Sequence, residues 1–379
     1  MQTGYNIVGE AMKKILFIIN CFSLGGGAEA LLTTIVNNLD PEKYDISIIE
    51  FVHYSVSEEK TNCNIKVLPY IVNGEDTEER RHQKYLLFHD TDNYIKNHIP
   101  EGYDLYIGFN YLAPAYLLPP GKNNILWIHG DVYDCLQEPM LIEEHDQQNQ
   151  MYNKAKKIIV ISDRTEKSVL DVFPDQADKL VKIYNGIDTE KVRRLSEEDT
   201  EISVMSPAVA VVGRLDNNKN PLRAVRILKL LHDMECRCHM YFIGAGKLRE
   251  DVKALSKEEG IEEYVHLAGY LENPFPVMKR CDCMLMTSGS EGFQMSLLES
   301  LTLGVPFIST DVGASKMLVT EGNKCMVFEQ DNSAARGIYE RLHETDKENV
   351  ARKCRDTALK YDIEKYIEKI ERVLDSIGG

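Results

Sequence analysis

The sequence predicts an α/β protein made of two Rossmann-like, doubly wound parallel-sheet domains. Three observations carry that expectation. Short, wholly apolar runs alternate with helical stretches along the chain, the β-α-β rhythm of a parallel sheet covered on both faces. The rhythm runs through two similar halves, separated by the turn Asn185-Gly186 and a polar stretch from Thr189 to Ser206. With 379 residues, 43% hydrophobic and 27% charged, the chain has the balance of a globular protein and the mass for two domains.

The elements follow in order. The first eleven residues show no period, so the true start is expected at Met12, where Lys13-Lys14 lead into Ile15-Leu16-Phe17-Ile18-Ile19, a buried strand over 14–20. A loop ending in Gly25-Gly26-Gly27, a helix over 28–39 and a strand over 45–51 come next. Residues 58–98 are charged and weakly periodic. Arg80, Arg81 and Lys84 precede Tyr85-Leu86-Leu87-Phe88, but the neighbouring Glu75, Asp76, Glu78 and Glu79 favour a solvated helix over one resting on an anionic membrane. Asp90-Thr91-Asp92 imitates a metal-dependent sugar-nucleotide motif, yet it follows no strand and reads as a solvated loop. Strands near 104–109, 124–129 and 157–162 complete a first domain over 1–185, followed by a linker at 184–206. The second domain, 186–360, has strands at 208–213, 238–243, 264–268, 282–287, 305–309 and 325–328. The stretch from about 346 to 376 is helical by pattern, and its end, 361–379, is expected to pack back toward the first domain.

Composition excludes several classes. Lys and Arg number 44 against 60 Asp and Glu, a net charge of −16, which repels a phosphate backbone; nucleic acid is not an expected partner. No run reaches the roughly 18 to 20 apolar residues of a membrane span, and Ile15 to Asn20 is too short for a signal-sequence core. The chain therefore reads as cytoplasmic. Nine cysteines, an odd number, fit a reducing compartment. The pairs Cys236/Cys238 and Cys281/Cys283 lack the spacing of structural zinc and read as buried residues sharing one strand face. P-loop, zincin and α/β-hydrolase motifs are absent from the sequence.

Ligands of open parallel sheets collect at the carboxyl ends of the strands, so the residues directly after each apolar run carry the functional reading. Gly25-Gly26-Gly27 opens a helix, where missing side chains let backbone N–H groups approach an anion. With Ala30 the run also matches G-x-G-x-x-A, and Glu50 closes the next strand where a dinucleotide enzyme keeps its ribose-binding acid. His129 follows the strand Ile125-Leu126-Trp127-Ile128; a neutral imidazole there can bond a sugar hydroxyl. Arg214 and Lys219 lie on one loop ahead of Asn220, a candidate N-cap, and Pro221. A fork of planar donors, a point charge and a helix start suit a diphosphate. Gly244-Ala245-Gly246 is a second close-approach turn. Glu291 and Glu299 flank the start of a helix over 293–303; on an ideal helix they stand about 80° and about 12 Å apart, too far to share a proton. The structural alternative for Glu291 is a capping box with Ser288.

The ordered motifs GGGAE (25–29), WIHGD (127–131), YNGID (184–188), VVGRLDNNKNP (211–221), FIGAGKLRE (242–250), VHLAGY (265–270) and SGSEGFQMSLLESLTLGVPFISTDVG (288–313) resemble family 4 of the retaining glycosyltransferases, of GT-B type. The match spans roughly residues 13–345, and its most specific element is E-x(7)-E, Glu291 to Glu299. Closest in pattern are bacterial enzymes that build lipopolysaccharide, capsule or exopolysaccharide. The resemblance implies two Rossmann-like domains facing a central cleft. It further implies transfer of a hexose or N-acetylhexosamine, with retention, from a nucleotide sugar, UDP-linked, to a glycan or lipid-linked acceptor. By position, Gly26 and Gly27 would approach the donor phosphate or the acceptor, and His129 the donor sugar. Arg214 and Lys219 would hold the diphosphate, Glu299 the ribose hydroxyls, and Glu291, Gly292 and Phe293 the transferred sugar. Gly244 is another donor-side glycine, and Gly269-Tyr270 lies where such enzymes hold the base. His129, Glu291, Arg214 and Lys219 form the expected catalytic set, with no metal or other cofactor. The family often has G-G-x-x-E where this chain reads Gly313-Ala314-Ser315-Lys316-Met317.

No carboxylate is placed as a nucleophile on the sugar's far face, which favours front-side displacement through an oxocarbenium-like state. Arg214 and Lys219 would stabilise the leaving diphosphate, and closure about the linker would exclude water. Three other readings stay open. They are an NAD-dependent oxidoreductase built on the glycine turn and Glu50, a sugar-nucleotide epimerase of the same fold, and a non-catalytic partner subunit. Peripheral contact with the inner face of the cell membrane is the expectation for location.

Overall fold

The computed structural model describes residues 12–23, 27–54, 66–74, 77–110, 112–133 and 145–377. The chain forms two compact units. Unit 1 comprises Met1–Ile161, Thr165–Ile183 and Ile367–Gly379; unit 2 comprises Ser162–Arg164 and Tyr184–Tyr366.

The strands of unit 1 are β1 (Lys13–Ile19), β2 (Tyr44–Glu50), β3 (Val52–His53), β4 (Lys66–Val67), β5 (Val72–Asn73), β6 (Leu105–Phe109), β7 (Asn124–Ile128), β8 (Lys157–Val160) and β9 (Leu180–Lys182). Seven of them form one parallel sheet in the order β4-β2-β1-β6-β7-β8-β9, with β3 and β5 paired apart. Burial on both faces explains the unbroken apolar runs: Ile15 to Ile19 are each exposed by 2% or less. Strands β3, β4, β5 and β9, two or three residues long, were not anticipated, because so short a run carries no readable period. The C-terminal residues complete this unit. Lys13 Nζ donates to the Leu374 carbonyl at 2.6 Å and the Tyr44 hydroxyl to Asp375 Oδ1 at 2.7 Å.

Unit 2 contains β10 (Ala208–Val212), β11 (His239–Ile243), β12 (Val265–Gly269), β13 (Cys283–Met286), β14 (Phe307–Thr310) and β15 (Met326–Phe328). They form a parallel sheet in the order β12-β11-β10-β13-β14-β15. The strand order reverses between β10 and β13, so the crevice beyond their carboxyl ends is the topological switch point. On one face the helices Pro221–Asp233 and Asp331–Leu342 pack together over Val209, Phe242 and Leu285. Side chains buried this fully contribute about 1.5–3 kcal/mol each.

Several expectations are corrected. The stretch expected as a linker is folded into unit 2: Thr189–Leu195 is a helix capped by Asp188, and Asn273 Nδ2 donates to the Leu195 carbonyl at 2.8 Å. The C-terminal pattern is two helices, Lys347–Ala358 and Ile363–Asp375, broken by a 3-10 turn at Leu359–Tyr361. Helical periodicity runs on through that turn, so the pattern alone could not show the break. Thr91 and Asp92 open the helix Thr91–His98 rather than lying in a loop. Cys281 and Cys283 face different clusters rather than one, because Cys281 precedes the strand. All seven described cysteines are buried free thiols, and among the described residues no group of His, Cys, Asp and Glu is arranged to hold a metal ion.

Candidate functional site

In unit 2, β10 is followed by Gly213-Arg214 and β13 by Thr287-Ser288, so the two loops that leave the switch point carry Arg214, Lys219 and Glu291, three of the four residues expected to be catalytic. A small pocket lies between them, lined by Gly213, Arg214, Lys219, Pro221, Thr287 and Ser288 among others. Lys219 Nζ forms an ion pair with Glu291 Oε1, and Arg214 Nε lies 3.1 Å from Asp216 Oδ2. The Arg214 side chain is 73% exposed, so its pairing adds little and its fork remains available. The Lys219–Glu291 pair is largely sheltered and couples one candidate phosphate cation to one candidate sugar contact.

The two loops are fastened to each other by residues that sequence reasoning passed over. Asn218 accepts from Gly289 N through its carbonyl at 2.7 Å and from Ser290 N through Oδ1 at 3.0 Å, while its Nδ2 donates to the Ser290 carbonyl at 2.9 Å. The Thr287 hydroxyl lies 2.9 Å from the Lys219 carbonyl and 3.0 Å from that of Asn220. Asn220 itself takes a left-handed conformation, φ 48°, and offers no side-chain cap, contrary to the N-cap expectation; Pro221 does occupy the first helical turn. A non-glycine residue held there marks a locally over-determined turn.

The glycines divide by what surrounds them. A β-carbon on Gly244 would sit 2.0 Å from the Gly213 carbonyl oxygen, so Gly244 is required by loop-on-loop packing. Around Gly269, φ 77°, there is open space. It follows a register shift in the β11–β12 pairing, and the next residue, Tyr270, is 77% exposed at the carboxyl end of the edge strand.

The E-x(7)-E segment departs from the ideal-helix picture. The helix is Met295–Thr302 with Gln294 at its N-cap, so Glu291 stands in the preceding loop and no Ser288/Glu291 capping box forms. Gln294, almost fully buried, makes no side-chain cap bond and instead ties the helix start to a distant segment. Its Nε2 donates to the Val312 carbonyl at 2.5 Å and its Oε1 accepts from Ala314 N at 3.0 Å. A β-carbon on Gly313 would come within 2.9 Å of the Glu291 and Gly292 carbonyls, so the altered 313–317 segment packs on the very loop that carries Glu291. The Phe293 ring is buried edge-on to Tyr361, 6.2 Å between centroids, which leaves its backbone as the group it can offer a ligand. Glu299 keeps part of its surface in water, yet the protein packed around its carboxyl pushes its pKa up to about 7.

The remaining candidates belong to unit 1. Gly26 lies outside the described residues; Gly27 begins the helix Gly27–Asn38 with open space where a β-carbon would be. His129 directly follows β7, its ring 4.1 Å from that of Phe109 and stacked on Trp127 at 5.7 Å. Its Nε2 is buried without a partner, and burial drives its pKa down to about 3, which keeps the imidazole neutral. Glu50 is not free for a ribose. It is 4% exposed; Oε2 accepts from Phe22 N at 2.7 Å, Ser23 N at 3.0 Å and the Ser23 hydroxyl at 3.0 Å, while Oε1 meets His53 Nδ1. That carboxylate braces the loop after β1, which removes the acid on which the dinucleotide reading depended.

The fold is that of GT-B glycosyltransferases. The Anabaena HepE protein in complex with UDP superposes with a TM-score of 0.73 at 17% identity, over 96% of this chain and 100% of that one. WaaG, a glycosyltransferase involved in lipopolysaccharide biosynthesis, gives 0.72 at 16% identity, over 95% and 99%. Residues 25–191 match Glycosyltransferase Family 4 and residues 192–374 match Glycosyl transferases group 1. The chain belongs to this glycosyltransferase family, and the relatives it is similar to include two glycosyltransferases of one bacterium. One, from Campylobacter jejuni, is N-acetylgalactosamine-N,N'-diacetylbacillosaminyl-diphospho-undecaprenol 4-alpha-N-acetylgalactosaminyltransferase, 30% identical over 52% of this chain and 53% of its own length. Another from that organism, a GalNAc-alpha-(1->4)-GalNAc-alpha-(1->3)-diNAcBac-PP-undecaprenol alpha-1,4-N-acetyl-D-galactosaminyltransferase, is 26% identical over 96% and 99%. The alignment thus spans about half the length of the first of these relatives and nearly all of the second.

Proposed function

We propose that the protein is a retaining glycosyltransferase that moves a hexose or N-acetylhexosamine from a UDP-linked sugar to a glycan or lipid-linked acceptor in bacterial surface polysaccharide synthesis. The observation that carries the proposal is the meeting, at the switch point of unit 2, of Arg214 and Lys219 on the wall of one pocket, with Glu291 paired to Lys219. In the free protein Lys219 is held by Glu291. An incoming diphosphate competes for the ammonium, and the carboxylate it releases is then free to accept from hydroxyls of the transferred sugar. Glu299 accepts from the ribose, Tyr270 stacks on the base, and Gly244, Gly269, Gly292 and the backbone of Phe293 leave room for the donor. In unit 1, His129, Gly26 and Gly27 are the residues proposed to contact the sugar or the acceptor.

The reaction breaks the bond between the anomeric carbon and the phosphate oxygen, and the acceptor oxygen bonds to the same face of the sugar. The departing phosphate oxygen takes the acceptor's proton. Arg214 and Lys219 stabilise the charge that grows on the diphosphate, a contribution that a divalent ion makes elsewhere. Incubation with labelled UDP-sugars and a polyprenyl-diphosphate glycan in the presence of EDTA tests this. The account expects transfer, and an α-linked product from an α-linked donor by NMR. A β-linked product, or activity only on restoring a metal, contradicts it.

The names of the relatives support a lipid-linked acceptor, and peripheral contact with the inner face of the cell membrane follows as part of the proposal. No helix among the described residues is long and apolar enough to cross a membrane. The helix Glu78–His89 exposes Lys84 and Tyr85, a cation and an aromatic suited to a headgroup layer. Sedimentation with vesicles containing phosphatidylglycerol is expected to carry the protein down at low salt and release it at high salt. No binding at low salt counts against membrane contact.

A further inference from the structure

We infer that Ser288 is a diphosphate-binding residue, its buried hydroxyl donating to a phosphate oxygen of the nucleotide held by Arg214 and Lys219. The inference rests on the nucleotide-sugar reading and adds to it a contact that neither the motifs nor the pairing of the charged groups had indicated.

Ser288 follows β13 at the switch point, and its neighbours are all committed. The Thr287 hydroxyl reaches the Lys219 and Asn220 carbonyls, while Gly289 N and Ser290 N are taken by Asn218. The Ser288 carbonyl accepts from the Thr310 hydroxyl at 2.7 Å. The Ser288 hydroxyl alone in this stretch has no partner, although the residue is only 2% exposed. An orphaned buried hydroxyl is unfavourable, and alanine would avoid the penalty at little loss of volume. The group therefore has its use when something fills the space beside it. That space is the pocket which Ser288 lines together with Gly213, Arg214 and Lys219. Two cations at its wall select an anion, and phosphate oxygens only accept, so a serine O–H that has no other acceptor is the complementary donor. A neutral donor also adds a directed bond beside the two charges without adding a third charge to be desolvated.

The test is Ser288→Ala, read by calorimetric titration with UDP and with uridine and by thermal unfolding without ligand. The expected result is UDP binding weakened about tenfold or more, uridine binding unchanged, and an unfolding temperature equal to or above that of the wild type. UDP affinity equal to wild type in the folded variant overturns the assignment. So does a fall in ligand-free stability, which would give the hydroxyl a structural role. Ser288→Cys, close in size but a weak donor, is expected to lose UDP affinity likewise; full affinity in it counts against the contact. If the wild type binds no nucleoside diphosphate, the nucleotide-sugar reading fails with it, an outcome distinct from failure of Ser288 alone.

Discussion

Burial lifts the Glu299 carboxyl from an ordinary 4.5 to about 7, so between those values the folded protein holds a proton that the unfolded chain has released. Stability carried by that proton is intact below pH 4.5 and lost as pH rises toward 7, a difference of up to about 3 kcal/mol. His129 acts with the opposite sign. Its pKa falls from 6.5 to about 3, so the unfolded chain takes up a proton first and stability is lost as pH drops below 6.5. Glu299→Gln is therefore expected to raise the unfolding temperature at pH 8 and to flatten the pH dependence between 4.5 and 7, while weakening UDP binding. Thermal unfolding from pH 4 to 8 checks the first part and calorimetry the second. A variant with the wild-type slope and wild-type UDP affinity would remove Glu299 from the site. The residue types here were legible in the sequence, but their electrostatic states were not, because burial of the carboxyl and the imidazole depends on neighbours from other elements.

Two loops, 213–220 and 287–292, make the switch point work as one piece, and Asn218 joins them alongside Thr287 and the Lys219–Glu291 pair. Losing its side-chain bonds costs about 1–2 kcal/mol, which set against the geometry of Lys219 and Glu291 corresponds to roughly a tenfold drop in kcat/KM. Asn218→Ala is expected to show that drop together with an unfolding temperature lowered by only a few degrees, about 2–4 °C per kcal/mol. Asn218→Asp, which keeps the acceptor for Ser290 N and loses the donor, is expected to recover part of it. Steady-state kinetics on both variants decide the matter, and an unchanged kcat/KM in Asn218→Ala would detach the loop staple from function. Strand ends were readable because a parallel sheet buries each strand as a continuous apolar run that stops at a polar or glycine residue. The true start of the Met295–Thr302 helix was not readable. Gln294 anchors it through residues 312 and 314, and a tie to a distant segment leaves no local signature.

For the whole molecule, the two-domain α/β architecture was legible in the pattern of apolar runs, whereas the reversal of strand order in unit 2 that places Arg214 and Thr287 on adjacent loops came only from the structure. What pattern could not supply is pairing between distant positions. Lys219 and Glu291 are 72 residues apart, and Lys13 meets Leu374 across 361. The dinucleotide alternative was disfavoured in the sequence by the long loop from Asn20 to Leu24, and the inward engagement of Glu50 and the match of both halves to glycosyltransferase families weigh further against it. The most direct test of the central claim is therefore calorimetric titration of the whole protein with UDP, GDP, ADP and NAD without added metal. The account predicts selective binding of UDP. Binding of NAD in preference to UDP would contradict it and return function to the glycine turn of unit 1.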